Sequence, residues 1–230
     1  MSSNLNEPTE SDLLVPFESQ NIPGEYKEYY KIKRNNLFAS IQRFPEIWNY
    51  YTLFDAIWLR EFGDLKPPGN VNQLFPLILF INAHAKLRIS IELALTGCLA
   101  EARSILRDAI EFVAHAHTTL HDPQLQNVWI AKNEEEQAFK DAFERNKKTG
   151  IFNGLAELHQ TWGQLSEMGS HATLNAICDR FKIAKSCDGG QAWQLAYCGV
   201  EEQTWATSLF SMLLTCFTMN ARFSRIMRTV

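Results

Sequence analysis

Three groups of side chains have the types and spacing that chemistry needs. Arg103, Arg107 and Glu111 recur every four residues, so on a helix they form one line. Guanidinium groups beside a carboxylate can hold a phosphate and stabilise charge developing on it. Glu167 and His171 are also four apart, and a carboxylate beside an imidazole can act as an acid–base pair. His117 and His121 have the spacing of two metal ligands on one helical face.

Each group has a plainer reading. Arg107 precedes Glu111, the weaker order for such a pair, worth about 0.2–0.5 kcal/mol at most. The pair then reads as solvated, with His117 at the edge of a core. The sharper reading puts a second layer of helices over this face, so that Arg103, Arg107 and Glu111 line a polar groove. Glu167 and His171 read first as a surface pair, or His171 as a helix-end histidine favoured by the dipole.

Metal chemistry finds little support. No HExxH surrounds His117 and His121, and no ExxH occurs in the chain, which removes zincin and di-iron carboxylate readings. His121-Asp122, with His84 upstream and Asp179 downstream, prompts a His…His-Asp…Asp phosphohydrolase, but Pro123 follows the dipeptide. Five cysteines (Cys98, Cys178, Cys187, Cys198, Cys216) form no CxxC pair, and their odd number argues for reduced thiols in a cytoplasmic setting. A zinc site from Cys178, Cys187, Cys198 and His171 would have spacings unlike a finger. No metal or other cofactor is expected; His115, His117 and His121 are the remaining candidate ligands.

These groups need helices to position them. Residues 1–23 are polar, carry three prolines and lack periodicity, so they read as a flexible arm before one domain over 24–230. Helices are predicted from Gly24 to Arg43, then from Pro45, well placed in a first turn, to Phe62. Lys66–Gly69 is a break. Gly97 divides a long helical stretch into 72–95 and 98–121, either a hairpin or a kinked rod. Asp122-Pro123 ends it. Helices at 124–132, 134–147, 152–172 and 201–228 complete the pattern. Between the last two, a short helix to about Ile183 precedes a Ser186–Gly190 loop, and Trp193–Val200 is extended or a short helix. The fold class is all-α: a helical bundle of antiparallel long helices, with a shorter helical or loop segment before the C-terminal helix.

Periodicity says which faces pack. In 98–121, Leu99, Ala102, Leu106, Ala109, Ile110 and Val113 fall on one stripe, and in 155–172 Leu158, Trp162 and Leu165 do. Gln203–Ala221 is uncharged, but its six threonines and serines dilute it below the roughly 20 apolar residues that spanning requires. A core-facing or oligomer-facing helix is the simpler expectation, with no membrane. The net charge of −4 argues against a general phosphate-backbone binder. At 46% hydrophobic content the chain can build its own core without a staple. There is no GxGxxG, P-loop or GxSxG.

Two segments together resemble a known group. They are Gly97-x3-Glu101-Ala102-x3-Leu106-Arg107-x3-Glu111 and Trp162-x2-Leu165-Ser166-Glu167-x3-His171. The chain looks like bacterial helical-bundle proteins of unknown function related to HEPN domains and abortive-infection proteins, over roughly residues 75–175. The resemblance implies that Arg107, Glu111, Ser166 and His171 form a polar cluster between helices. HEPN ribonucleases carry an arginine followed by four to six residues and a histidine. No arginine here has one, since seven residues separate Arg107 from His115. The expected role is therefore a non-catalytic, oligomerising interaction module, with a protein partner in stress or phage defence. The alternative is an RNA- or nucleotide-acting enzyme using Arg103, Arg107, Glu111, Ser166, Glu167 and His171 in one groove.

Overall fold

A computed structural model describes residues 23–64, 71–145, 147–148, 150–168, 181–185, 191–195, 198 and 202–227. It is an all-α helical bundle. Its elements are α1 (Gly24–Arg43), α2 (Pro45–Gly63), α3 (Val71–Leu95), α4 (Leu99–His121), α5 (Pro123–Ile130) and α6 (Glu136–Phe139). A π-helical turn (Lys140–Glu144) follows, then α7 (Ala156–Met168), β1 (Phe181–Lys185), β2 (Gln191–Leu195) and α8 (Glu202–Met227).

The α3–α4 hairpin is the centre, and Gly97 makes it. Its φ of 84° is the left-handed conformation that favours glycine. Gly97 N–H donates to Ala94 O and Cys98 N–H to Leu93 O, closing a Schellman turn that stops α3. The kinked-rod alternative is thereby excluded. Carbonyls at and just past the end of α3, Ala94 O for a second time, also accept from other helices. Ser40 Oγ donates to Leu95 O at 2.7 Å, Asn36 Nδ2 to Thr96 O at 3.0 Å, and Trp205 Nε1 to Ala94 O at 2.8 Å. One helix terminus thus fixes α1 and α8 against the hairpin, because buried carbonyls must find partners.

α4 is buried on more than one side. Ala102, Leu106, Ala109, Ile110 and Val113 are essentially inaccessible, and α3, α7 and α8 all pack on it. The small alanines let the neighbouring helices approach closely. α2 closes the opposite end of the core, where the Trp58 ring lies parallel to Phe223 of α8 with centroids 4.1 Å apart.

Most predicted boundaries hold within a few residues, and three local readings need correction. The helix expected over 134–147 breaks into α6 and the π-helical turn. Phe139 and Phe143 are both buried there. The extra residue of a π turn rotates the following chain, which tertiary packing can demand and local propensity cannot announce. The short helix expected to reach Ile183 is replaced at its end by β1, which pairs antiparallel with β2, Ile183 opposite Trp193. The alternation of Phe181-Lys182-Ile183 before Gly189-Gly190 is the signal that favours a hairpin. Third, Glu134 and Glu135 lie in a turn before α6, not within it.

The arm up to residue 22, the Lys66–Gly69 break, the 186–190 loop and positions 169–172 lie outside the described residues. Among those described, Leu74–Leu95 is long and apolar enough to cross a membrane, with mean hydropathy 1.4, and 44% of that stretch is buried in the bundle.

Candidate functional site

α7 lies across α4, and the polar faces of the two helices meet. Arg107 Nε donates to Ser166 Oγ at 2.9 Å. Ser166 Oγ in turn donates to Trp162 O at 2.8 Å, so the serine is held by its own helix. Glu111 accepts from Lys147 Nζ at 2.9 Å and from Trp162 Nε1 at 3.4 Å, each on a different carboxylate oxygen. Arg107 Nη2 stands 3.7 Å from the oxygen facing Trp162. The Trp162 ring also receives two cations, with the Arg107 guanidinium 5.1 Å and Lys147 Nζ 4.6 Å from its centre. His159 stacks parallel to the same ring. Trp162 is therefore the hub of a clasp that links α4, the segment before α7, and α7.

The solvated-pair reading of Arg107 and Glu111 is overturned, because α7 covers them. Only 22% and 25% of their side chains is exposed. Burial by itself raises the Glu111 carboxyl's pKa. The hydrogen bond and charge of Lys147, with His115 and Arg107, outweigh that and hold it below the usual range.

Arg103 faces elsewhere. Its Nη2 donates to Ser208 Oγ of α8 at 3.1 Å. It lines a cleft of about 420 Å³ between α4, α7 and α8, whose walls include Gln164, Met168, Thr207 and Ser211. Arg107 and Glu111 are not among the residues lining it. The expected single groove is thus two places, a clasp and a hydroxyl-rich cleft. Glu167 is exposed at the end of α7. His171 lies outside the described residues, and with it the Glu167–His171 pair.

Two histidines of α4 lie side by side near its end. His121 is exposed and its Nδ1–H donates to His117 O at 2.7 Å, and the two rings are 4.4 Å apart. Among the described residues no three His, Cys, Asp or Glu side chains converge as metal ligands. His84, proposed for a phosphohydrolase, instead meets Asp55 Oδ1 at 2.8 Å, where Arg88 Nε also approaches at 3.3 Å. Burial pushes its pKa down against the opposing pull of Asp55. Cys198 Sγ sits 3.0 Å from Cys98 Sγ, a pairing across 100 residues that spacing gave no hint of. Cys178, Cys187 and Asp179 lie outside the described residues.

His115 carries a prediction. It is packed between Phe139, Phe143 and Trp129, only 8% exposed. Burial lowers its pKa to about 4, helped by Lys147 and Lys132 and opposed by Glu111. The unfolded chain takes up this proton near pH 6.5 and the folded chain resists until about 4, so protonation favours unfolding in that window. Folding stability is expected to fall by about 2–3 kcal/mol as pH drops from 6.5 to 4 through this group. Urea titrations of wild type and His115→Gln between pH 7 and 4.5 test it. Parallel pH curves for the two proteins would show that His115 is not the source.

Sequence reasoning missed Lys147, Asp55 and Ser208 as partners and took Trp162 for core alone. Each partner lies on a different element from the residue it holds, and only the closing basic run Arg145–Lys148 pointed near one of them. Compared with protein-family models, curated proteins and solved structures, the chain finds no match.

Proposed function

We propose that this chain is a non-catalytic helical interaction module that self-associates and engages a protein partner. The observation that carries this reading is the engagement of the polar clasp. Both Glu111 oxygens accept hydrogen bonds, Arg107 is held by Ser166, and Lys147 is held by Glu111. Groups arranged for catalysis keep a face toward the reacting atoms. These are turned toward one another, and their role is to fasten α7 onto α4. The enzyme alternative is weaker on the same ground, and it also lacks the arginine–histidine spacing of HEPN ribonucleases.

The outer surface supports self-association. Phe210, Leu214 and Phe217 of α8 are each more than half exposed, and Leu74, Ile78, Ile81 and Ile89 of α3 nearly as much. Apolar rows of this size mark interaction surfaces more often than bare protein surface. The resemblance to HEPN-related and abortive-infection proteins adds the setting we propose, a bacterial cytoplasm under stress or phage attack. Size-exclusion chromatography with light scattering tests the reading. The expected mass is at least twice that of one chain at micromolar concentration. A strict monomer up to several hundred micromolar overturns it.

A further inference from the structure

Two thiols from distant parts of the chain meet at the start of α4. Cys98 follows Gly97 in the α3–α4 turn and directly precedes α4. Cys198 comes shortly before α8 in sequence. Their Sγ atoms are 3.0 Å apart although 100 residues separate them, near enough for a covalent bond without rearranging the helices. Both are free thiols. Cys98 is buried, with Thr96 Oγ1 donating to its sulfur at 3.8 Å, while Cys198 is only half-buried. α1 contributes as well. The Tyr29 hydroxyl hydrogen-bonds to the Cys198 sulfur, and the charge of Lys33 favours its thiolate. Lys33 Nζ also lies 5.8 Å from the centre of the Tyr29 ring. Cys216 differs, being fully buried within α8 and out of reach of a solute.

We propose that Cys98 and Cys198 form a redox modification site, at which a small hydroperoxide converts the two thiols into an intramolecular disulfide that latches the segment before α8 to the α3–α4 turn. The inference stands apart from the self-association reading. Exposure sets the order of events. Cys198 is the sulfur that a solute can reach, and it attacks the peroxide. An S–O bond forms, the O–O bond breaks, and the Cys198 proton leaves with the departing oxygen as water or an alcohol. Cys98 then attacks the Cys198 sulfenic acid. The S–S bond forms, the S–O bond breaks, and hydroxide leaves with the Cys98 proton as water. The two sulfurs together lose two electrons, and the peroxide gains them. Burial, reinforced by the contact with Cys98, pushes the Cys198 thiol up to about 12. Little thiolate is then present at neutral pH, so oxidation is slow. A thiol of high pKa is also a poor leaving group, so reduction is slow. Both properties suit a latch set by sustained oxidant, and neither suits a rapid catalytic couple. The place suits a latch too. Trp205 of α8 donates to Ala94 O and Ser40 of α1 to Leu95 O just before this turn, so the disulfide makes covalent a junction otherwise held by hydrogen bonds. It closes a loop of 100 residues, a strong constraint on the unfolded chain.

Peroxide treatment of the full chain, followed by alkylation and peptide mass mapping, tests the site. Hydrogen peroxide is the probe, and no denaturant is added before the remaining thiols are alkylated. Folded wild type is expected to yield a 98–198 linked peptide, two hydrogens lighter than its separate parts. The product is expected to remain a single chain and to revert with dithiothreitol. The oxidised chain is expected to melt about 10 °C above the reduced one. Cys98→Ser is expected to leave Cys198 as a sulfenic acid trapped by dimedone, with no rise in melting temperature on oxidation. Cys98 is buried, so Cys198→Ser, at the half-buried position, keeps the test open should that variant fold poorly. It is expected to lose both the link and the rise. Wild type whose Cys98 stays open to alkylation while Cys198 is fully oxidised overturns the pairing. A link from Cys198 to Cys178 or Cys187, or between two chains, overturns it as well. Survival of both thiols in prolonged excess peroxide overturns the site. A 98–198 link with no rise in melting temperature overturns the latch.

Discussion

Replacing Trp58 with alanine is expected to cost about 4 kcal/mol of folding stability, enough to unfold a marginal domain at modest temperature. Trp58 is fully buried and sits where three helices converge. Its ring lies parallel to Phe223 of α8 with centroids 4.1 Å apart, parallel to His84 of α3 at 5.2 Å, and tilted against Phe80 at 6.5 Å. Alanine would leave a cavity bounded by rings, and rings on separate helices cannot collapse into it without moving those helices. Among the described residues the buried indole N–H meets no acceptor. Trp58→Phe separates the two effects. It removes the N–H and keeps much of the stacking, and its loss is expected to stay near 1 kcal/mol. Urea denaturation of both variants checks this. An alanine variant within 1 kcal/mol of wild type would mean that the α2–α3–α8 junction is loosely packed.

That junction was only half legible in the sequence. The tryptophan was visible on a helical segment, and Pro45 fixed where the segment begins. Phe223 lies 165 residues later in sequence, and no periodicity states which aromatic will meet which. The same limit governs the clasp. Arg107, Glu111 and Ser166 could be picked out because each belongs to a short local pattern. Lys147 could not, since its role depends on where the chain between the π-helical turn and α7 passes. Thr118 Oγ1 helps to set that path by donating to Ile151 O at 3.1 Å, and Gly154 turns the chain into α7 with φ of 74°. Helix existence rests on local periodicity and stop signals, which the sequence contains. Lateral pairing of helices rests on side-chain volume summed over the whole core, which it contains only implicitly. The β1–β2 hairpin falls between these cases, with an alternation too short to outweigh helical surroundings.

The clasp yields the second large expected effect. Glu111→Ala removes the acceptor shared by Lys147 and Trp162 and leaves Arg107 with Asp108, 3.5 Å away, as its remaining carboxylate neighbour. Lys147 and Arg107 would remain mostly covered, at 22% side-chain exposure each, as two cations around one indole ring. Breaking a fully buried pair costs about 3–5 kcal/mol, and screening at a quarter-exposed site lowers the expected loss to roughly 2 kcal/mol. Glu111→Ala combined with Lys147→Ala is expected to lose less than the sum of the single variants by about 1 kcal/mol, the signature of a direct contact. The pH dependence has a definite sign. The folded carboxyl's pKa is lowered, so its stabilisation is complete above the unfolded value near 4.5 and is lost as pH falls through the folded one. Glu111→Gln is expected to remove that part of the acid sensitivity while keeping the shape of the site. Chemical denaturation at pH 7 and between pH 5 and 3 reads all of these quantities. A Glu111→Ala variant as stable as wild type would show that α7 is not fastened here. The carboxylate and both cations would then be free for a ligand, and the enzyme reading would regain the ground that the interaction module now holds.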